Sequence, residues 1–144
     1  MHKLATYTAL ILLAVPVLAH ADVQNPAVKE RMANMDALKQ GMGIIGSMAK
    51  GAVAFDTDQA QAAITALLTA SESITANFEA NETDPKSEAL PAIWTNWDDF
   101  SEKADDLTFM LEAMDVSSLD TLRAGLGNIG GACGACHKQY RMDK

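Results

Sequence analysis

A chain of 144 residues, 49% hydrophobic and 21% charged, has one domain's length and the composition of a packed globular protein, not of a disordered one. Its formal net charge of −8 disfavours nucleic acid and anionic lipid surfaces as partners and favours basic or neutral ones.

Residues 1–21 read as a secretory signal peptide. His2 and Lys3 form a short basic start, Ala9 to Leu18 is an apolar run with one proline, and Ala19-His20-Ala21 fits a small-x-small cleavage site. The run is shorter than the roughly 20 residues that span a bilayer, which argues against a membrane anchor. Cleavage before Asp22 would export residues 22–144 to the periplasm as a single domain with no further long apolar run, hence no membrane span. Lys3 is the leader's only charged residue, so the mature domain would carry −9.

Apolar spacing then predicts four helices and no internal repeat. The first opens at Asn25-Pro26, a cap residue followed by proline in the first turn, and carries Val28, Met35, Met42 and Ala49 with Leu38 and Ile45 between. Gly41, Gly43, Gly46 and Gly51 each cost it about 1 kcal/mol of helix propensity, which suggests that something requires them to be small. The second helix begins near Asp56 to Asp58 and runs through Ile64, Leu67, Ser71, Ile74 and Phe78, before a polar, proline-containing loop at 81–87. Pro91 opens the third, where Ile93, Trp97, Phe100, Ala104, Leu107, Leu111 and Met114 form the apolar face. Asp98, Asp99, Glu102, Lys103, Asp105 and Asp106 cover its other faces. Trp97 is in phase with the core and Trp94 is not, so the two should not both face the seam squarely.

The fourth helix starts at Ser117 or Ser118 and carries Leu119, Leu122, Leu126, Ile129, Cys133, Cys136 and Tyr140 along its apolar seam. Four helices, short connections and a near-3.5-residue period predict an all-α, antiparallel up-down-up-down four-helix bundle.

Cys133-Gly134-Ala135-Cys136-His137 carries the chemistry. Two thiols three positions apart can both add to the vinyl groups of one haem, and the adjacent imidazole can ligate its iron. His137 is the only histidine of the mature domain. A zinc site would want a fourth ligand, and no other Cys or His remains. A thioredoxin-like pair would want a preceding strand in a βαβ context, and no strand pattern precedes the motif. Two cysteines in an oxidising compartment would otherwise pair as a disulfide. Haem alone uses all three residues and accounts for export, since such attachment is made outside the cytoplasm. The sequence thus predicts one haem c in the bundle core, attached through Cys133 and Cys136.

With Cys-x-x-Cys-His-x-x-Tyr-Arg at residues 133–141, close to the C-terminus, the chain resembles the cytochrome c′ family. Further matching stretches are Arg31-x-x-x-Met35, Gly46 to Gly51, Ala92 to Phe100, and Ile129-Gly130. The resemblance covers the whole mature chain. It implies that His137 is the proximal iron ligand and that Arg141 stands beside the proximal imidazole; read alone, Arg141 is a solvated charge favourable to the helix C-terminus. It implies that Arg31 reaches a haem propionate, whereas an arginine in the first turns of a helix is usually solvated. Phe78 is a candidate for the haem edge and Tyr140 for core packing. The resemblance also implies a homodimer through the first two helices.

Met35 separates two mechanisms. The resemblance places its side chain over the distal haem face, where it either coordinates iron or blocks a five-coordinate site that admits only small gases. The glycine-rich run to Lys50-Gly51 is similar to low-spin members and favours coordination, so the metal ligands expected are His137 and Met35. The expected function is one-electron transfer to a periplasmic redox partner, basic or neutral at the contact. The alternative is binding of nitric oxide or another small gas. Peroxidase-like chemistry would want a distal acid/base such as histidine, which the mature chain lacks, so no catalytic residue and no enzyme are expected. A helical disulfide exchanger would require that no haem be attached.

Overall fold

In the computed structural model, which describes residues 23–143, the Asn25 side chain opens α1 (Pro26–Ala49) by accepting from the Val28 amide at 3.1 Å. The expected leader and its cleavage site before Asp22 lie outside the described residues. Gly51, with φ of +73°, ends α1 in a backbone conformation that a side chain would resist. Asp56 caps α2 (Thr57–Glu72) through the Gln59 amide at 2.8 Å. α3 (Ile74–Phe78), α4 (Ala92–Thr95) and α5 (Trp97–Glu112) follow. α6 (Leu119–Tyr140) starts in a capping box between Ser118 and Thr121.

α1 packs on α2, α2 on α5, α5 on α6, and α6 back on α1. The ring closes as an all-α four-helix bundle, with α3 extending the second arm and α4 preceding the third. Ile45, Met48, Leu67, Ile93, Leu111, Leu122 and Ile129 fill its core with almost no exposure. Among the described residues no helix is long and apolar enough to cross a membrane.

Two predicted helices are broken. The second is interrupted at Ser73, whose amide bonds Ala70 O at 3.3 Å in a tightened turn. Ser71 and Ser73 return their hydroxyls to Leu68 O and Thr69 O, a pattern that bends helices. The third is interrupted at Asn96, where φ is −128° and ψ 48°. That break turns Trp94 inward as well as Trp97: the indole Nε1 of Trp94 donates to Phe78 O at 2.8 Å, while Trp97 packs on Phe100 at 5.7 Å between ring centroids. Trp94 is therefore half-buried against the core along with Trp97, although the two differ in helical phase.

The glycines of α1 also divide. A Cβ on Gly41 would lie 2.6 Å from Leu67 Cγ, so the close approach of α1 to α2 requires it. Gly43 and Gly46 face open space, with no atom within 4 Å of such a Cβ.

The connection from α3 to α4 is pinned at three places. Asp84, 9% exposed, accepts from the amides of Gln24, Asn25 and Lys86. Ala89 pairs with Arg141 in an isolated antiparallel bridge, flanked by Leu90 N to Tyr140 O at 2.9 Å and Met142 N to Glu88 O at 2.8 Å. Arg31 holds the third place. These ties bring residues 86–89 against the end of α6.

Candidate functional site

A cavity of about 580 Å³ opens between α1 and α6, and all seven residues singled out by sequence line it: Arg31, Met35, Phe78, Cys133, Cys136, His137 and Arg141. Cys133 and Cys136 follow from the apolar seam of α6, which turns every third or fourth side chain inward. Both are half-buried free thiols. Burial pushes both thiols up from their ordinary value; for Cys136 the positive charge of Lys103 opposes it. Burial lowers the pKa of His137, and Arg141 lowers it further while Glu88 pulls the other way. The imidazole is thereby favoured in the neutral form that ligates metals.

Across the cavity α1 presents Met35 and Leu38, with Met32 and Met42 also on the wall. Met32 is 43% exposed and stands at the rim. Met110 and Met114 line a different groove between α5 and α6, and Met48 is buried in the core. Among the described methionines, those of α1 at positions 32, 35 and 42 share the cavity with His137.

Arg31 is not the solvated arginine that its helix position suggests. It is 2% exposed, and its guanidinium donates to Asn77 O at 2.9 Å, Glu82 O at 2.8 Å and Ala80 O. Phe78 and Trp94 stack on it at 5.0 and 5.2 Å. Burial lowers its pKa and Glu82 partly offsets that. The guanidinium thus closes the end of α3, and Phe78, held beside it, contributes its ring to the cavity wall. Tyr140 is core, as predicted, at 3% exposure, and its hydroxyl donates to Asp99.

Lys103 was legible only as a member of the polar face of its helix. It is half-buried on the cavity wall, paired with Asp99 at 2.9 Å. The i,i+4 spacing of Asp99 and Lys103 was visible; their position opposite Cys136 depends on how α5 meets α6. Lys86 and Ser87, in the loop that the sequence predicts at 81–87, form part of the wall together with Glu88 and Ala89 beyond it.

The donor set fits a haem. Two unpaired thiols and a neutral imidazole project from one helix into a cavity otherwise walled by Phe78, Ile93, Phe100 and Leu107, with the cations Lys86 and Arg141 at its edge. Among the described residues no group of three or more His, Cys, Asp or Glu gathers to hold a bare metal ion.

A family model described as cytochrome C′ matches residues 26–141. The chain belongs to the cytochrome c′ family. Members are c-type haem proteins, so membership implies a c-type haem. Cytochrome c-556 of Agrobacterium fabrum is 33% identical over 146 residues, covering 99% of this chain and 98% of that protein. A cytochrome c′ of Alcaligenes xylosoxydans is 31% identical, over 82% of this chain and 94% of that protein. Among solved structures, a nitric oxide complex of a cytochrome c′ variant from Alcaligenes xylosoxidans superposes with a TM-score of 0.74 at 30% identity, covering 82% of this chain and 94% of that one. A cytochrome c′ from Rhodobacter superposes at 0.76 with 25% identity, over 82% and 96%. The cytochrome c′ architecture accounts for the bundle.

Proposed function

We propose that this cytochrome c′-family protein is a periplasmic one-electron carrier with a single haem, exported by residues 1–21 and cleaved before Asp22. Cys133 and Cys136 would hold the haem by thioether bonds, and His137 and Met35 would be its axial ligands. The observation that carries the reading is that Met35 of α1 and His137 of α6 line one cavity from different helices. When bound, the haem supplies the one-electron couple. The chain's own part is to hold a neutral imidazole on one side and a thioether on the other, and to keep water from both with Leu38, Phe78 and Leu107. Arg141 and Lys86, cations at the cavity edge, are suited to the haem carboxylates; Arg31, whose donors serve backbone carbonyls, would act on a propionate through its charge. An outward face on α1 with Gly43 and the 45%-exposed Ile44 is compatible with a homodimer through the first two arms.

The second reading is a five-coordinate haem that binds nitric oxide, with Met35 beside the open site and not on the iron. It is favoured by the nitric oxide complex of a 30% identical relative. Absorption spectra of the purified protein and of Met35→Ala separate the two. A sharp α-band on reduction and a weak far-red band on oxidation, both lost in the variant as carbon monoxide gains access, establish methionine ligation. Broad high-spin spectra in both proteins establish the open site. Intact mass reads the attachment: Cys133→Ser with Cys136→Ser should lack the haem increment.

A further inference from the structure

We propose that the outer face of α5, centred on Phe109, docks the lysine- or arginine-rich face of a partner protein. Phe109 is 70% exposed and borders a shallow groove of about 420 Å³ between α5 and α6, whose floor includes Met110 and Met114. One turn away on either side stand Asp105 and Glu112, both exposed, with Asp106 and Asp115 beside them. An aromatic anchor within a charged rim has the anatomy of a protein contact.

The charge selects the occupant. Between Lys103 and Arg123 the sequence holds five acidic residues and no Lys or Arg. The two bounding cations are engaged, Lys103 with Asp99 at 2.9 Å and Arg123 with Ala49 O at 2.8 Å. α2, which packs against α5, contains no Lys or Arg either. The charge over this face is therefore net negative, with the exposed Arg123 at its border, which draws a cationic surface and repels a second copy offering the same face.

The location suits electron exchange. Phe100, Lys103, Ala104 and Leu107 on the inner face of α5 wall the haem cavity, so a partner seated along the outer face stands about one helix diameter, roughly 10 Å, from that wall. This use of the surface rests on the electron-carrier reading; the docking itself does not.

The test titrates ¹⁵N-labelled holoprotein with mitochondrial cytochrome c, a small lysine-rich redox protein, at low and at moderate salt. Amide shifts should map to 102–115 and 121–128, and the affinity should fall at least tenfold between about 10 and 200 mM salt. Asp105→Lys with Glu112→Lys should weaken binding at least tenfold and Phe109→Ala at least threefold. Asp58→Lys with Glu72→Lys, the same charge change on α2, should weaken it less than twofold. Free-protein spectra of the variants check that each is folded. Absence of a salt-sensitive shift, shifts centred on Lys86 and Arg141, equal weakening by the α2 pair, or self-association through Phe109 without the probe would each overturn the proposal. Stopped-flow electron transfer separates the two readings. Docking on α5 without electron transfer defeats the carrier reading alone, and transfer insensitive to the α5 variants defeats this one alone.

Discussion

Arg31 lies against the indole of Trp94, its guanidinium carbon 5.2 Å from the ring centroid, while the indole donates to Phe78 O. The pair ties α1, α3 and α4 together at the end of the cavity. Three carbonyls, of Asn77, Ala80 and Glu82, accept from this one buried side chain. Arg31→Ala removes the guanidinium donor from each, leaving Ala80 O only the Glu82 amide at 2.9 Å, and also removes the packing of the guanidinium, so it should cost about 3 kcal/mol or more in urea unfolding. Arg31→Lys keeps the charge but not the planar fork, so it should recover only part, with a cost of about 1–2 kcal/mol. Equal stability of all three proteins would deny the clamp.

The bundle was readable because its signals are local. Asn25, Asp56 and Ser118 are caps whose partners lie three residues on, and the seam from Leu122 through Ile129 to Cys136 and Tyr140 is a repeat along one helix. What periodicity missed is tertiary. The break at Asn96 accompanies a contact between Trp94 and residues of α1 and α3, which no window on the third arm contains. Lys103 read as a solvated face because its spacing places it among acids; the packing of α5 on α6 alone turns it to the cavity. The sequence offers Arg31 a propionate or solvent, while the carbonyls that hold it belong to α3 and to the loop after it, whose path the sequence does not reveal.

The glycines of α1 give opposite expectations for the same substitution. Gly43→Ala places a methyl in open space on a helix and should stabilise by about 0.5–1 kcal/mol. Gly41→Ala drives a methyl to 2.6 Å from Leu67 Cγ and should destabilise by about 1–3 kcal/mol despite the same propensity gain. Leu67→Ala added to Gly41→Ala should relieve the clash, so the two changes together should cost less than the sum of their separate effects. Denaturant midpoints of the wild type, the three single variants and the double variant read all three statements.

Asp84 makes the fold acid-sensitive at its N-terminal edge. Amide bonds from Lys86, Asn25 and Gln24 hold its carboxyl below the usual carboxylate range. A group whose folded pKa lies below its unfolded value adds stability that is fully present above the unfolded pKa, about 3.9, and is lost as pH falls through the lower folded value. Asp84→Asn should therefore lower Tm at neutral pH and flatten its decline below about pH 4. Hydrogen exchange localises the effect: the amides of Gln24, Asn25 and Lys86 should lose protection in the variant, while those of the core helices keep theirs.

Tyr140 offers a direct readout of how α6 is seated on α5. With Tyr7 in the expected leader, it is the only tyrosine of the mature chain, so one phenol signal reports one site. Burial and the hydrogen bond to Asp99 push its pKa up to about 12. That carboxylate is in turn held down by the phenol and by Lys103. In a rapid pH jump, read before unfolding, the phenol should ionise near pH 12. Asp99→Asn removes the charge that opposes ionisation and should bring the transition down, while burial keeps it above that of free tyrosine, about 10. A phenol titrating near 10 in both proteins would mean that the last turn of α6 is exposed, and with it the helix that carries Cys136 and His137.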